Sequence, residues 1–178
     1  MGLYASIALD GEGLPHIAYY DNKFGYEVYR KFDLVVLDNT YHPPLVHNPD
    51  GTPIILGYIS VCEALIDGPL WNRVKGMPYF VKKNKFWNSY VVDVRERSWQ
   101  SLLLDDVIPS IFAQGFDGLF IDTIDSCIEL MREEDGSKYR GIDRALVFFI
   151  KEIKQRYPEK YIAVNRGFEV VKKIEKIF

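Results

Sequence analysis

A short apolar, β-branched run that stops at an acid recurs along this chain, and it constrains the fold more than any other feature. Leu34-Val35-Val36-Leu37 precedes Asp38, Tyr90-Val91-Val92 precedes Asp93, and Gly118-Leu119-Phe120-Ile121 precedes Asp122. Ile54–Ser60 leads to Glu63, and Tyr161–Val164 leads to Asn165-Arg166. Such runs, separated by helix-length segments, are the signature of strands buried on both faces of a parallel sheet. In parallel sheets the functional side chains collect at the carboxyl ends of the strands. The repeated terminal acid is therefore expected to mark one active-site mouth.

Six strands are expected, over 16–20, 33–38, 53–60, 89–94, 118–123 and 160–165. Between them, 26–32 suits a short helix. Ser98 suits an N-cap for a segment carrying Leu102, Leu103, Val107, Ile111 and Phe112 as far as Gly115, with Pro109 kinking or splitting it. From Ile142 the spacing of Leu146, Phe149, Ile150, Ile153 and Tyr157 follows one helical face until Pro158. A last helix over 168–178 carries Val170, Val171, Ile174, Ile177 and Phe178 at helical spacing. Alternating strands and helices fit an open doubly wound sheet or a (β/α)8 barrel. Neither GxGxxG nor GxxxxGK[ST] occurs, so the phosphate loops common in open sheets are missing. A full barrel takes about 250 residues, so this α/β chain is expected to hold about six of eight βα units of a TIM barrel.

At 178 residues and 48% hydrophobic, the chain can bury one substantial core, which reads as a single domain. A net charge of −3 argues against a nucleic-acid surface, and Lys82, Lys83 and Lys85 read as a solvated loop. No apolar run approaches the ~20 residues of a membrane span, and the first residues lack the basic start and apolar core of an export signal. Cys62 and Cys127 make no disulfide framework and no zinc spacing. Both read as small buried fillers, with the lesser alternative that they meet because loops past strand ends converge.

Asp122 and Asp125 stand in the string Gly115-Phe116-Asp117-Gly118-Leu119-Phe120-Ile121-Asp122-Thr123-Ile124-Asp125. Clustered carboxylates serve hydrolysis because neighbours can hold one protonated while another stays ionised. The bland alternative is that Asp122 caps the next helix. Glu63 is a cleft acid or an exposed loop glutamate. Asp38 and Asp93 line the same mouth, cap helices or orient loop backbone. Tyr19, Tyr20, Tyr41, Tyr58, Trp71 and Trp87 fill core and rim, or offer flat faces to sugar rings. His16, His42 and His47 form neither HxH nor HExxH, and His42 and His47 flank Pro43-Pro44 in what reads as a stiff surface loop. Ser60 and Ser126 lack a GxSxG context. No metal and no cofactor is expected; a carboxylate-only Mg²⁺ or Ca²⁺ site has no loop spacing in its favour.

The strings at 33–38, 57–64 and 115–125, with Asn165-Arg166-Gly167, resemble glycoside hydrolase family 114 from about Ile17 to the chain's end. This is a TIM-barrel family of endo-α-1,4-polygalactosaminidases and their relatives. The resemblance implies a catalytic role for Asp122, with Asp38, Tyr58, Glu63, Asp93, Asp125 and Asn165 lining the substrate cleft. It also implies a second catalytic carboxylate, a glutamate falling beyond Phe178. Cys62 departs from the glycine usual in the family. Members are often exported, which leaves the compartment open.

The implied partner is a polysaccharide or oligosaccharide, and a mouth ringed by acids suits a cationic, de-acetylated one. The other readings are a glycan-binding or inactive barrel fragment lacking the second carboxylate, and an interaction protein. An unpaired edge on the last strand predicts self-association.

Overall fold

In the computed structural model of the chain, residues 4–9, 15–20, 29–133 and 136–174 are described. The strands are β1 (Tyr4–Leu9), β2 (Pro15–Tyr20), β3 (Leu34–Asp38), β4 (Ile54–Ser60), β5 (Glu63–Leu65), β6 (Phe80–Asn84), β7 (Ser89–Val92), β8 (Gly118–Asp122) and β9 (Tyr161–Val164). The helices are α1 (Trp71–Val74), α2 (Arg97–Ser101), α3 (Ile108–Ala113), α4 (Ile124–Leu130), α5 (Ile142–Arg156) and α6 (Phe168–Ile174).

One sheet has six strands in the order β2-β1-β3-β4-β8-β9. β1 is antiparallel to both β2 and β3, whereas β3 and β4 run parallel in register from Leu34↔Ile54 to Asp38↔Tyr58. Asp117 N–H donates to Ile55 O and Val61 N–H to Asp122 O, so the partners advance together and β8 is parallel to β4. Tyr161 N–H to Asp117 O and Asn165 N–H to Ile121 O set β9 parallel to β8 in the same way. β3, β4, β8 and β9 are the apolar runs that the pattern marked out.

Four expectations are corrected. β7 does not join the parallel sheet; it lies between β5 and β6 in a separate antiparallel three-stranded sheet. The lysine-bearing segment read as loop is β6, and residues 85–88 close a hairpin too short for a parallel crossover. Ser98 is not a cap: Glu96 holds that position and α2 begins at Arg97. The expected helix over 26–32 is only a 3₁₀ turn, Tyr29–Lys31, with 26–28 outside the described residues.

Pro109 interrupts its helix through the backbone it deprives. Leu102–Val107 forms a π turn, in which Ile108 N–H reaches Leu103 O. In that register position 109 would serve Leu104 O, but proline has no N–H to offer. The Arg156 guanidinium occupies the carbonyl instead, Nη1 donating to Leu104 O at 3.2 Å and to Asp105 Oδ1 at 2.7 Å. α5 runs as its periodicity predicts and stops at Arg156, before Pro158.

The residues divide into two compact units. One is drawn from Met1–Ile59, Ser110–Phe120 and Lys160–Ala163, the other from Ser60–Pro109, Ile121–Glu159 and Val164–Phe178. The first buries Val35, Val36, Leu37, Ile55, Leu56, Ile111, Phe116 and Leu119. The second buries Trp99, Leu103, Ile121, Ile124, Leu130, Ile142, Leu146, Phe149 and Ile153. No helix among the described residues is long and apolar enough to cross a membrane.

Candidate active site

In the second unit, two strand ends present an acid and an amide to each other. Asp122 ends β8, Asn165 follows β9, and Asn165 Nδ2 donates to Asp122 Oδ1 at 2.7 Å. Each is followed at once by a residue in the left-handed region, Thr123 at φ 68° and Arg166 at φ 55°. That region is an outlier for a β-branched residue. It turns the chain sharply, so the side chain before the turn stands at the very tip of its strand.

Thr123 is held there by its hydroxyl, which accepts Cys62 N–H at 3.0 Å, donates to Asp122 O at 2.6 Å and lies 2.9 Å from Ser60 Oγ. Thr123, not Asp122, occupies the cap position of α4, and its side chain makes no capping bond. The alternative role of Asp122 as a helix cap is therefore not adopted.

Glu63 is neither exposed nor in a loop: it starts β5 and is 6% exposed. Ser126 Oγ and Asn84 Nδ2 (3.0 Å) donate to its Oε1, and Ser89 Oγ donates to Oε2. Three neutral donors thus surround a buried carboxylate, tying β6, β7 and α4 together. Burial of a carboxylate is tolerable only when its lone pairs are filled in this way.

Asp93 is held by Arg95, with Nε donating to Oδ1 at 2.8 Å and Nη2 to Oδ2 at 2.6 Å. Burial pushes the Asp93 carboxyl up, but the guanidinium, the Arg95 N–H and the nearby positive charge outweigh it and hold it below the usual aspartate range. Asp125 sits in the first turn of α4, with Arg166 at 3.5 Å. Two of the expected cleft acids are therefore already neutralised by arginines, which reduces the expected attraction for a cationic chain.

Cys62 and Cys127 are buried free thiols. Cys62 O accepts Val92 N–H while Cys127 Sγ donates to Val92 O, so both flank one residue of β7. Burial, and then the hydrogen bond and charge of Cys127, push the Cys62 thiol well up. The two loops do converge.

In the first unit, Asp38 Oδ1 accepts the N–H groups of Thr40 (2.7 Å) and Tyr41 (2.8 Å), the loop-orienting role that was one reading of it. Asn39 Nδ2 donates to Tyr58 O at 2.6 Å, and the Tyr58 ring stacks on Phe120 with centroids 6.5 Å apart. Sequence reasoning missed Asp117, whose Oδ2 accepts Ile55 N–H at 2.7 Å and lies 2.8 Å from His47 Nε2. His47 thus braces the sheet from the irregular loop segment that also carries Pro43-Pro44. The motif also needs its glycines: Gly115 has φ 103°, and a Cβ on Gly118 would lie 2.3 Å from Tyr161 O. Among the aromatics, Trp71 stacks on Tyr90 at 5.8 Å, Tyr41 and Trp87 are exposed, and Tyr19 and Tyr20 have no described side chains. Among the described residues, no group of three or more His, Cys, Asp or Glu side chains is placed to hold a metal ion.

The model of glycoside-hydrolase family GH114 matches residues 23–178. Among solved structures, the glycoside hydrolase domain of PelA from Pseudomonas aeruginosa is 29% identical with a TM-score of 0.66. A glutamate-to-alanine variant of that domain is 30% identical with a TM-score of 0.64. Each comparison covers 82% of this chain and 56% of the other, so the chain spans little more than half the length of these relatives. Ega3 from Aspergillus fumigatus, solved in complex with galactosamine, shares the fold at 11% identity and a TM-score of 0.57, covering 81% of this chain and 58% of that one. No curated protein matches the chain. The α/β fold is of the TIM-barrel type, present here in part. With a family model matched over nearly its whole length, the chain belongs to glycoside-hydrolase family GH114.

Proposed function

We propose that this chain carries the Asp122 half of a glycosidase active site acting on an aminosugar polysaccharide such as α-1,4-polygalactosamine. The observation that carries the reading is Asp122 at the tip of β8, fixed by the Asn165 amide and by the turn at Thr123. A glycosidase needs a carboxyl group held in one orientation against the scissile bond, because it protonates the leaving oxygen or attacks the anomeric carbon along a defined line. Family membership and relatives described as a glycoside hydrolase domain and as a galactosamine complex support both the chemistry and the sugar class.

In this reading Asp122 is the catalytic residue and Asn165 fixes its rotamer and reaches toward substrate. Asp125 and Asp93 act as arginine-paired, polar contacts, and Glu63 acts through the donors it holds. The test is a reducing-end assay on an α-1,4-linked galactosamine polymer with the natural full-length protein and its Asp122→Asn variant. Asparagine keeps the shape and removes the ionisable group, so turnover falls by about a hundredfold or more with no change in melting temperature. Equal turnover in the two proteins would falsify the assignment.

The partial span of the relatives' length favours a second reading, binding without turnover by this chain alone. Calorimetry showing that the 178-residue chain binds the oligomer, with no new reducing ends released, is the outcome that supports it.

A further inference from the structure

Cys62 and Cys127 lie far apart in sequence, are buried as free thiols, and take no part in the proposed chemistry. A break in the ladder between β5 and β7 brings them together. The register Glu63↔Val91 continues one step, so that Val92 N–H donates to Cys62 O at 2.9 Å. In such a hydrogen-bonded antiparallel pair the two residues exchange both bonds. Here the second bond is replaced: Cys62 N–H turns to Thr123 Oγ1 at 3.0 Å, and Val92 O accepts the Cys127 thiol at 3.3 Å. The Cys127 sulfur therefore occupies the place that the backbone of Cys62 gives up, within hydrogen-bonding reach of the Cys62 thiol.

The segments that carry the two thiols are tied to each other on both sides. Before Cys62, Val61 N–H donates to Asp122 O at 3.2 Å, and Trp99 Nε1 donates to Val61 O at 2.8 Å. After it, Glu63 accepts the hydroxyl of Ser126, the residue preceding Cys127. All of these residues belong to the second unit. The thiols thus meet between fixed stretches of backbone, which is the condition that disulfide geometry sets.

We propose that Cys62 and Cys127 are an oxidative cross-linking site: as the chain folds in the presence of a small-molecule disulfide they join, and the bond staples the turn after β4 to α4 beside Asp122. One cysteine thiolate attacks a sulfur of the small disulfide and expels one small thiolate, leaving a mixed disulfide. The other cysteine thiolate attacks the protein sulfur of that bond and expels the second small thiolate. Two cysteine S–H bonds are lost and one S–S bond forms, while the small disulfide is reduced to two thiols that carry off both protons. The step belongs to folding, because both side chains are fully buried afterwards. Burial, and then the hydrogen bond and charge of Cys127, push the Cys62 thiol well up, so once folded it is a poor nucleophile. The same burial shields the finished bond from reductants. It closes a loop of about 65 residues, long enough to restrict the unfolded chain strongly.

Refolding the natural full-length protein in oxidised and reduced glutathione, then blocking free thiols and mapping peptides by mass, reads the bond directly. The expected product joins the Cys62 and Cys127 peptides and is lighter than the reduced pair by two hydrogens. Its melting temperature exceeds that of protein refolded with a strong reductant by about 5 °C, and the same reductant added after folding leaves the bond intact. Cys127→Ala serves as the control: its melting temperature is the same after either refolding. Recovery of both cysteines as free thiols, or joined to other partners, overturns the cross-link, and a joined pair with no rise in melting temperature overturns the staple. No turnover enters these measurements, so the inference stands or falls apart from the glycosidase reading.

Discussion

Thr123 is the residue at which local strain and site geometry meet. A threonine at φ 68° stores of order 1–3 kcal/mol, which persists only where surrounding contacts over-determine it. Those contacts are the hydroxyl's bonds with Cys62, Ser60 and the Asp122 carbonyl. Thr123→Ser keeps them and should leave stability within about 1 kcal/mol, whereas Thr123→Ala leaves the Cys62 N–H without its partner and should cost about 1–3 kcal/mol. Urea midpoints of the two variants check the order; an alanine variant as stable as the serine one would remove the hydroxyl from the account. Asp93 gives a prediction in pH. Its carboxyl titrates below the ~3.9 of an unfolded aspartate, so the unfolded chain binds the proton first. The stabilisation is complete above that value and is lost as pH falls through the lower, folded one. Arg95→Gln should lower the melting temperature at neutral pH and flatten the decline at about pH 4 and below. The effect is about 1 kcal/mol or less, because the Arg95 side chain is one-third exposed and screened. None of these roles is legible in the sequence: Thr123 stands in the 115–125 string, but neither that string nor the sequence around Arg95 records which groups their side chains bond.

At the scale of elements, the interrupted helix and the motif glycines make the sharpest claims. If Arg156 satisfies a carbonyl that Pro109 deprives of a donor, the two positions are coupled. Arg156→Leu should cost about 1–2 kcal/mol with Pro109 present and less in a Pro109→Ala background. A double-mutant cycle that found additive effects would separate them. Gly118→Ala should destabilise by about 3 kcal/mol or more, because its Cβ would meet backbone, Tyr161 O, rather than a side chain able to move. Chemical denaturation measures both. β3, β4 and β8 were legible because burial leaves a continuous apolar run, and β9 because its four apolar residues form such a run although the strand is only partly buried. β6 was not, because Lys82 and Lys83 are exposed and a polar hairpin arm reads as loop. Its partner β7 looked like a parallel strand for the converse reason: Val91 and Val92 are buried in a core although the pairing is antiparallel.

For the whole molecule, the sheet order ends at β9, so among the described residues that strand is hydrogen-bonded on one side. The ring of acids was an incomplete guide to the charge of the site, because Arg95 pairs with Asp93 and Arg166 lies near Asp125. By itself the sequence determined the α/β class, the four parallel strands, the long amphipathic α5 and the position of Asp122 at a strand end, since each follows from apolar patterning that local chain geometry reads directly. Only the tertiary structure decided that Glu63 is buried among Asn84, Ser89 and Ser126, that Asn165 reaches Asp122, and that Asp117 braces β4. Those contacts join residues 21 to 63 positions apart, and side-chain partners at that separation are chosen by how the sheet and loops pack, which no local pattern records.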